Sequence, residues 1–297
     1  MEIDLEGRIV GIMGPNGAGK TTLVRIASTQ LRPTSGEMRV IGYDVVEEAD
    51  LLRRRISSLP QDMRPFFYTT TPREDIYHIL RMRGIPAGES RRLAEETIDR
   101  LDLGRWADTR VGNLSGGNIK KYLIALSLSP PVDLYLLDEP TSGLDPVSRR
   151  KVWSLILDKA KEGAGVIVTS HLLEDLMSLS HEVVFISEGR VIDVGSPAQL
   201  VRKYVGDSEW KLVVRAGDTN EVGAGALKNA LSGMEGIKWA SFQDSLNVYP
   251  KDNSQLRELE DLLEGMSVRF RRVPVSLEDA YLIVVLGRDV FEAGRGS

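Results

Sequence analysis

Gly14-Pro15-Asn16-Gly17-Ala18-Gly19-Lys20-Thr21-Thr22 is the stretch that decides the fold. It satisfies G-x-x-x-x-G-K-[ST] and lies between the apolar run Ile9 to Met13 and a stretch of helical character starting near Lys20. That strand, loop and helix setting is what the pattern requires. Glycines let the backbone curl so that successive N–H groups point inward, and the helix N-terminus behind them adds partial positive charge. Together they form a cradle for phosphate. In such a cradle Lys20 reaches the β and γ phosphates of a nucleotide, and the Thr21 hydroxyl is a Mg²⁺ ligand.

Working outward, Leu134 to Leu137, Val166 to Val168 and Val183 to Ile186 are further short runs with apolar side chains on consecutive positions. Such runs suit strands buried on both faces, with helices between them as crossovers of a mostly parallel sheet. The expected core is therefore α/β. Between residues 62 and 117 the pattern turns helical, with amphipathic stretches from Pro72 to Arg81 and from Glu89 to Leu101. This predicts an all-helical insertion.

Gly206-Asp207-Ser208-Glu209 is polar and turn-rich, which marks a domain boundary. The expectation is a phosphate-loop domain over 1–205, an accessory domain over 206–290 and a tail over 291–297. In the accessory domain, strand and helix patterns follow the order βαββαβ, the small α+β ferredoxin-like arrangement. A last helix, Leu277 to Leu286, carries Leu277, Ala280, Tyr281, Val284 and Val285 on one face, as plain packing requires.

Asp133-Leu134-Tyr135-Leu136-Leu137-Asp138-Glu139 ends an apolar strand in two carboxylates, which places both at the sheet edge that carries the phosphate loop. Adjacent strand residues point to opposite sides, so the two acids take different tasks. Asp138 is expected to bind Mg²⁺, usually through water, and Glu139 to orient and deprotonate an attacking water.

Composition removes other chemistries. The 297 residues contain no cysteine, so thiolate metal sites, iron–sulfur clusters and cysteine nucleophiles are excluded. A formal net charge of -5 offers no overall positive field for nucleic acid. The best spanning candidate, Tyr122 to Leu137, is broken by Pro130, Pro131 and Asp133, and Met1 to Gly7 carries three carboxylates and no basic cluster. A cytoplasmic chain is expected.

Leu114-Ser115-Gly116-Gly117-Asn118 lies about twenty residues before Asp138. With the phosphate loop and the paired acids, it makes the sequence resemble the ATP-binding subunits of ABC transporters, whose signature is L-S-G-G-Q. The resemblance covers nearly the whole chain. It implies an ATPase that uses ATP and Mg²⁺, in which Ser115, Gly116 and Gly117 bind the γ-phosphate held by a second ATPase subunit. It also implies a membrane-spanning permease subunit as partner, so that the chain is peripheral to the cytoplasmic face of the cell membrane.

Further positions fall into register with that family. Gln61 matches the glutamine that contacts Mg²⁺ or the catalytic water, Asp145 in Ser142-Gly143-Leu144-Asp145 matches a loop crossing the dimer interface, and His171 matches the switch histidine. Ser276-Leu277-Glu278-Asp279-Ala280-Tyr281 is similar to a tail of drug-export members. Phe66-Phe67-Tyr68 is either an apolar patch for the membrane partner's cytoplasmic helix or internal packing. His78 and His181 are expected in surface or packing roles.

Two positions depart from the family pattern. Asn118 shortens the amide arm of the signature and is expected to weaken its contacts. No aromatic precedes Tyr43, so either base stacking worth about 1 to 3 kcal/mol is missing, loosening affinity and base selectivity, or the true start lies upstream. Alternatives left open by the sequence are a soluble ABC-type ATPase without a membrane partner, a catalytically weak regulatory subunit and, furthest, a small-molecule kinase.

Overall fold

The structure is a computed structural model that describes residues 5–170, 173–215, 217, 221–242, 245–286 and 291–293. The chain divides into two units, Met1–Val194 and Gly195–Ser297.

In the first unit β1 (Ile9–Met13) leads through the phosphate loop into α1 (Lys20–Ala27). The two-residue strands β2 (Arg39–Val40) and β3 (Tyr43–Asp44) pair antiparallel, and α2 (Ala49–Arg55) leads to β4 (Ile56–Leu59). Helices α3 (Pro72–Met82) and α4 (Ala87–Arg100) form the insertion and α5 (Gly116–Leu128) ends it. Then follow β5 (Leu134–Asp138), α6 (Pro146–Lys161), β6 (Gly165–Thr169), α7 (Leu173–Leu179), β7 (Glu182–Ser187) and β8 (Arg190–Gly195).

The main sheet has the order β4-β5-β6-β1-β7-β8. Pairings β4–β5, β5–β6, β6–β1 and β1–β7 are all parallel. All five residues of β1 and of β5 are buried, which is why their sequences read as unbroken apolar runs rather than alternating ones. Because the central strands run the same way, the loops after β1, β4 and β5 open at one edge.

Helix α5 is held from two sides. The Tyr122 hydroxyl donates to Asp75 of α3, and the Ser57 hydroxyl of β4 donates to the Ser127 carbonyl at 2.6 Å. These bonds tie the middle of the helix to the insertion and its C-terminal end to the sheet. A Thr71–Glu74 capping box starts α3, with Pro72 in its first turn, the pairing that satisfies two otherwise free amides.

The second unit starts with α8 (Pro197–Tyr204), which the sequence reading assigns to the first domain. Strand β9 (Trp210–Arg215), α9 (Glu221–Ser232), β10 (Lys238–Phe242), β11 (Ser245–Tyr249), α10 (Asn253–Gly265) and β12 (Arg271–Pro274) follow in the order βαββαβ. Helix α11 (Leu277–Leu286) and β13 (Phe291–Ala293) complete it.

Its sheet has the order β12-β9-β11-β10-β13 with antiparallel neighbours. Leu212, Val214, Trp239 and Val248 on one face pack with Leu227, Leu231, Leu256 and Leu259 from the helices. Each such fully buried side chain contributes about 1.5–3 kcal/mol. Leu277, Ala280 and Tyr281 of α11 are buried, and α11 lies against α8.

The drug-export-like tail has a structural explanation. Asp279 is buried and accepts from the Tyr249 hydroxyl at 2.8 Å, the Lys211 ammonium at 2.6 Å and the Ser276 amide and hydroxyl at 2.9 Å each. Burial, with the Asp279 charge beside it, pushes the Tyr249 hydroxyl well above the usual range. Among the described residues no helix is long and apolar enough to cross a membrane.

Candidate functional site

The phosphate loop is shaped by one glycine that tolerates no Cβ and two in the left-handed region. At Gly14 an added Cβ would stand 2.4 Å from the Ile186 carbonyl oxygen, so only glycine lets the loop leave β1 so close to β7. Gly17 has φ 82° and Gly19, the N-cap of α1, has φ 101°, conformations that an L side chain rarely adopts. Pro15 and Ala18 form the loop's back, with the Ala18 amide donating to the Pro15 carbonyl at 3.2 Å. The turn between β7 and β8, Glu188-Gly189, has φ of 50° and 73°, the paired positive values of a tight hairpin turn. From it the Gly189 amide donates to the Ala18 carbonyl at 3.0 Å.

Lys20 folds over the loop and its ammonium donates to the Gly14 carbonyl at 2.7 Å and the Pro15 carbonyl at 3.0 Å. No acidic residue lies in the first turn of α1 and no side chain caps it. Its amides and partial positive charge are left to the cavity, which suits an anion. That cavity, of about 230 Å³, is lined by Asn16, Gly17, Gly19, Lys20, Thr21 and Thr22 on one wall and by Gln61, Asp138 and Glu139 on the other.

Asp138 ends β5 opposite Thr169 of β6. One carboxylate oxygen accepts the Thr169 hydroxyl, while the other, Oδ2, is buried without a hydrogen-bond partner among the described residues. A buried carboxylate oxygen is costly to leave unmet. The Thr21 hydroxyl and Gln61 amide line the same space, and this all-oxygen set fits Mg²⁺. Among the described residues no three His, Asp or Glu side chains gather as a complete metal cage.

Glu139 follows β5 with φ 53°, in the left-handed region, at a cost of about 1–3 kcal/mol. Simple strand alternation would send it away from Asp138. The reversed φ instead turns the chain so that both carboxylates line one cavity. Its peptide groups are clamped. The Glu139 amide donates to Thr169 Oγ1 at 3.0 Å, and the Glu139 carbonyl accepts from the Lys120 ammonium at 3.2 Å and the Ser142 amide at 3.3 Å. Burial lowers the Lys120 ammonium from its ordinary value, and the charges of Glu139 and Asp138 oppose that shift.

Ser115, Gly116 and Gly117 do not line this cavity. Ser115 is the N-cap of α5, accepting the Asn118 amide at 3.4 Å, and the helix has no acidic residue in its first turn. The first turn, Gly116 and Gly117, has open space where side chains would be. Asp145 caps α6, accepting the Val147 and Ser148 amides at 3.0 Å each. Hydrogen bonds from the Ser148 hydroxyl and these amides hold the Asp145 carboxyl below the usual range. His171 lies outside the described residues. His181 serves the sheet, its Nδ1 accepting the Ile9 amide at 3.0 Å.

Two participants escape the sequence reading. Thr169 carries a readable signal, a hydroxyl closing a buried strand two residues before His171. Lys120 carries none, since its meeting with Glu139 depends on how α5 crosses the sheet.

The ABC transporter family model matches residues 4–142. The daunorubicin/doxorubicin resistance ATP-binding protein DrrA of Streptomyces peucetius is 39% identical over 194 residues, 65% of this chain and 58% of that protein. The daunorubicin resistance ATP-binding protein DrrA3 of Streptomyces coeruleorubidus is 35% identical over 228 residues, 77% of this chain and 71% of that protein. Thus the chain spans from under three fifths to about seven tenths of the length of these two relatives.

Among solved structures, an ATP-binding subunit of an ABC transporter shares the fold with a TM-score of 0.63 at 24% identity, covering 67% of this chain and 83% of that one. A dimeric ATP-binding cassette in a post-hydrolysis state with ADP and Pi has a TM-score of 0.58 at 26% identity, covering 65% of this chain and 88% of that one. With the phosphate loop, the paired acids and the Ser115-capped helix all in place, the chain belongs to the ABC transporter family and carries that family's ATP-binding, ATPase domain.

Proposed function

We propose that this chain hydrolyses ATP to drive a membrane exporter, closing on ATP as a head-to-tail dimer and reopening after hydrolysis. One observation carries the proposal: the phosphate loop, Gln61, Asp138 and Glu139 share a cavity, whereas the Ser115 helix cap stands apart from it with its first turn open. A chain that holds both halves of a phosphate grip in different places completes a site only with a second copy or a related subunit.

In each composite site the loop amides and the Lys20 ammonium bind the β and γ phosphates. Mg²⁺, when bound by Thr21, Gln61 and water on Asp138, neutralises charge on the phosphate oxygens. Glu139 accepts the proton of the attacking water, and His171 helps to hold that water. Ser115, Gly116 and Gly117 of the second copy donate to the γ-phosphate, and Asp145 stands at the interface. ATP makes both sets of contacts only in the closed state, which gives the differential affinity that a population shift requires.

A mixing experiment tests the shared site. Lys20→Ala and Ser115→Arg variants are each expected to be inactive. In a mixed dimer one site carries both defects and the other none, so the mixture is expected to regain turnover, up to about a quarter of wild type if the sites act independently, since about half of the dimers are mixed and each has one intact site. Turnover no higher than that of either variant alone rules out a site built from two copies.

The membrane side of the proposal rests on Phe66, Phe67 and Tyr68, which are 70%, 62% and 54% exposed. Three adjacent exposed aromatics are costly on a free surface and mark a contact site. Phe66 also borders a groove of about 350 Å³ with Pro60, Met63, Ile79 and Leu126, next to Gln61. A cytoplasmic helix of the permease subunit fits this groove and places the chain at the inner membrane face. Replacing Phe66 and Phe67 with serine is expected to remove at least about 1.5 kcal/mol per side chain from that contact, over tenfold each. The readout is recovery in the membrane fraction, with ATP affinity unchanged.

A further inference from the structure

We propose that Lys120 is a positioning residue for Glu139: it holds the peptide that aims the carboxylate, and it ties that aim to the signature end of its own helix. The inference rests on the reading of Glu139 as the base.

Three observations meet at this lysine. Its ammonium, half-buried, donates to the Glu139 carbonyl at 3.2 Å. The residue so held has φ 53°, a backbone state that persists only when its surroundings fix it. On the other side of the same residue Thr169 of β6 holds the amide, and the Ser142 amide shares the carbonyl at 3.3 Å, so Lys120 brings α5 into the set of contacts that fix the carboxylate's aim.

Lys120 lies five residues after Ser115, roughly 7.5 Å along the helix axis. A helix transmits a shift of its first turn as a rigid body over that distance. When Ser115 and its glycines grip a phosphate in one composite site, the same helix carries the ammonium that orients Glu139 in the other. Lys120 therefore links the two ATP sites of a dimer without touching nucleotide in either. A carboxylate displaced by about an ångström can cost on the order of 10²-fold in rate, so a modest contact on the backbone is enough to gate turnover.

The test compares Lys120→Met, Lys120→Arg and Glu139→Gln in the full chain, reading kcat and KM for ATP and nucleotide affinity. Lys120→Met is expected to lower kcat about 10- to 100-fold with KM and ATP affinity unchanged, and Lys120→Arg, which keeps a donor on a long arm, to restore most of it. Unchanged kcat in Lys120→Met, or equal loss in the methionine and arginine variants, overturns the proposal. A variant that also loses ATP affinity or melts early overturns it too, since the lysine would then merely support the fold. Glu139→Gln separates the two levels: if it keeps its turnover, the reading of Glu139 as base fails. If it is dead while Lys120→Met is fully active, only the role of Lys120 fails.

Discussion

Replacing Glu139 with glutamine is expected to stop steady-state ATP turnover while ATP still binds. The amide keeps the size of the carboxylate and its place beside the Asp138 cavity but accepts no proton from water. General-base catalysis contributes about 10²- to 10⁴-fold, and a loss of that size separates a base from a carboxylate that only solvates a loop. The substitution leaves the Glu139 backbone bonds to Thr169 and Lys120 in place, so the fold and the phosphate loop are expected to be intact. With closure unspent by hydrolysis, the variant is expected to accumulate as an ATP-bound dimer, visible in light scattering. Wild-type hydrolysis by this variant would remove Glu139 from the role of base.

Lys20→Ala is expected to fail one step earlier, at nucleotide binding. In the structure the ammonium is satisfied by the Gly14 and Pro15 carbonyls, so it exchanges backbone acceptors for phosphate oxygens when nucleotide enters. Hydrogen bonds between charged groups are worth about 1.5–3 kcal/mol each. Losing two of them raises the Kd for ATP on the order of 10²-fold or more. The Gly14 and Pro15 carbonyls left behind are near solvent and find water, which keeps the effect on stability small. Calorimetric titration with ATP checks the result, and wild-type affinity would contradict the assignment of the loop. The two variants thus divide the cycle, one binding without turnover and the other not binding.

Much of the fold was legible because buried parallel strands leave no choice of pattern. Ile9 to Met13 and Leu134 to Leu137 are apolar on both faces, and glycine, proline and carboxylate residues mark their ends. The βαββαβ order of the second unit was readable for a similar reason, with each element long enough to show its period. Strands β2 and β3 were not, since two residues each carry no periodicity. Helix α8 was grouped with the wrong neighbours by sequence order, because its contact with α11 spans some 80 residues of chain and local pattern does not encode it.

At the site, residue types announced the cradle and the acids but not their orientation. The left-handed turn at Glu139 is unreadable in a glutamate, which ordinarily avoids it. Asn118 shows the same limit in reverse. Its backbone amide serves the Ser115 cap, a role that any residue but proline fills, so the departure at this position does not disturb the start of α5.

The fourfold acceptance at Asp279 sets a limit on how the chain can be shortened. A version ending before Ser276 takes away the acceptor of Lys211 and Tyr249, both sheltered from water. Stranding a buried charge in this way costs about 3–5 kcal/mol, a large share of what a small domain has to spare. The last helix is therefore a cornerstone rather than an appendage, and trimmed versions made for crystals or assays need to keep it.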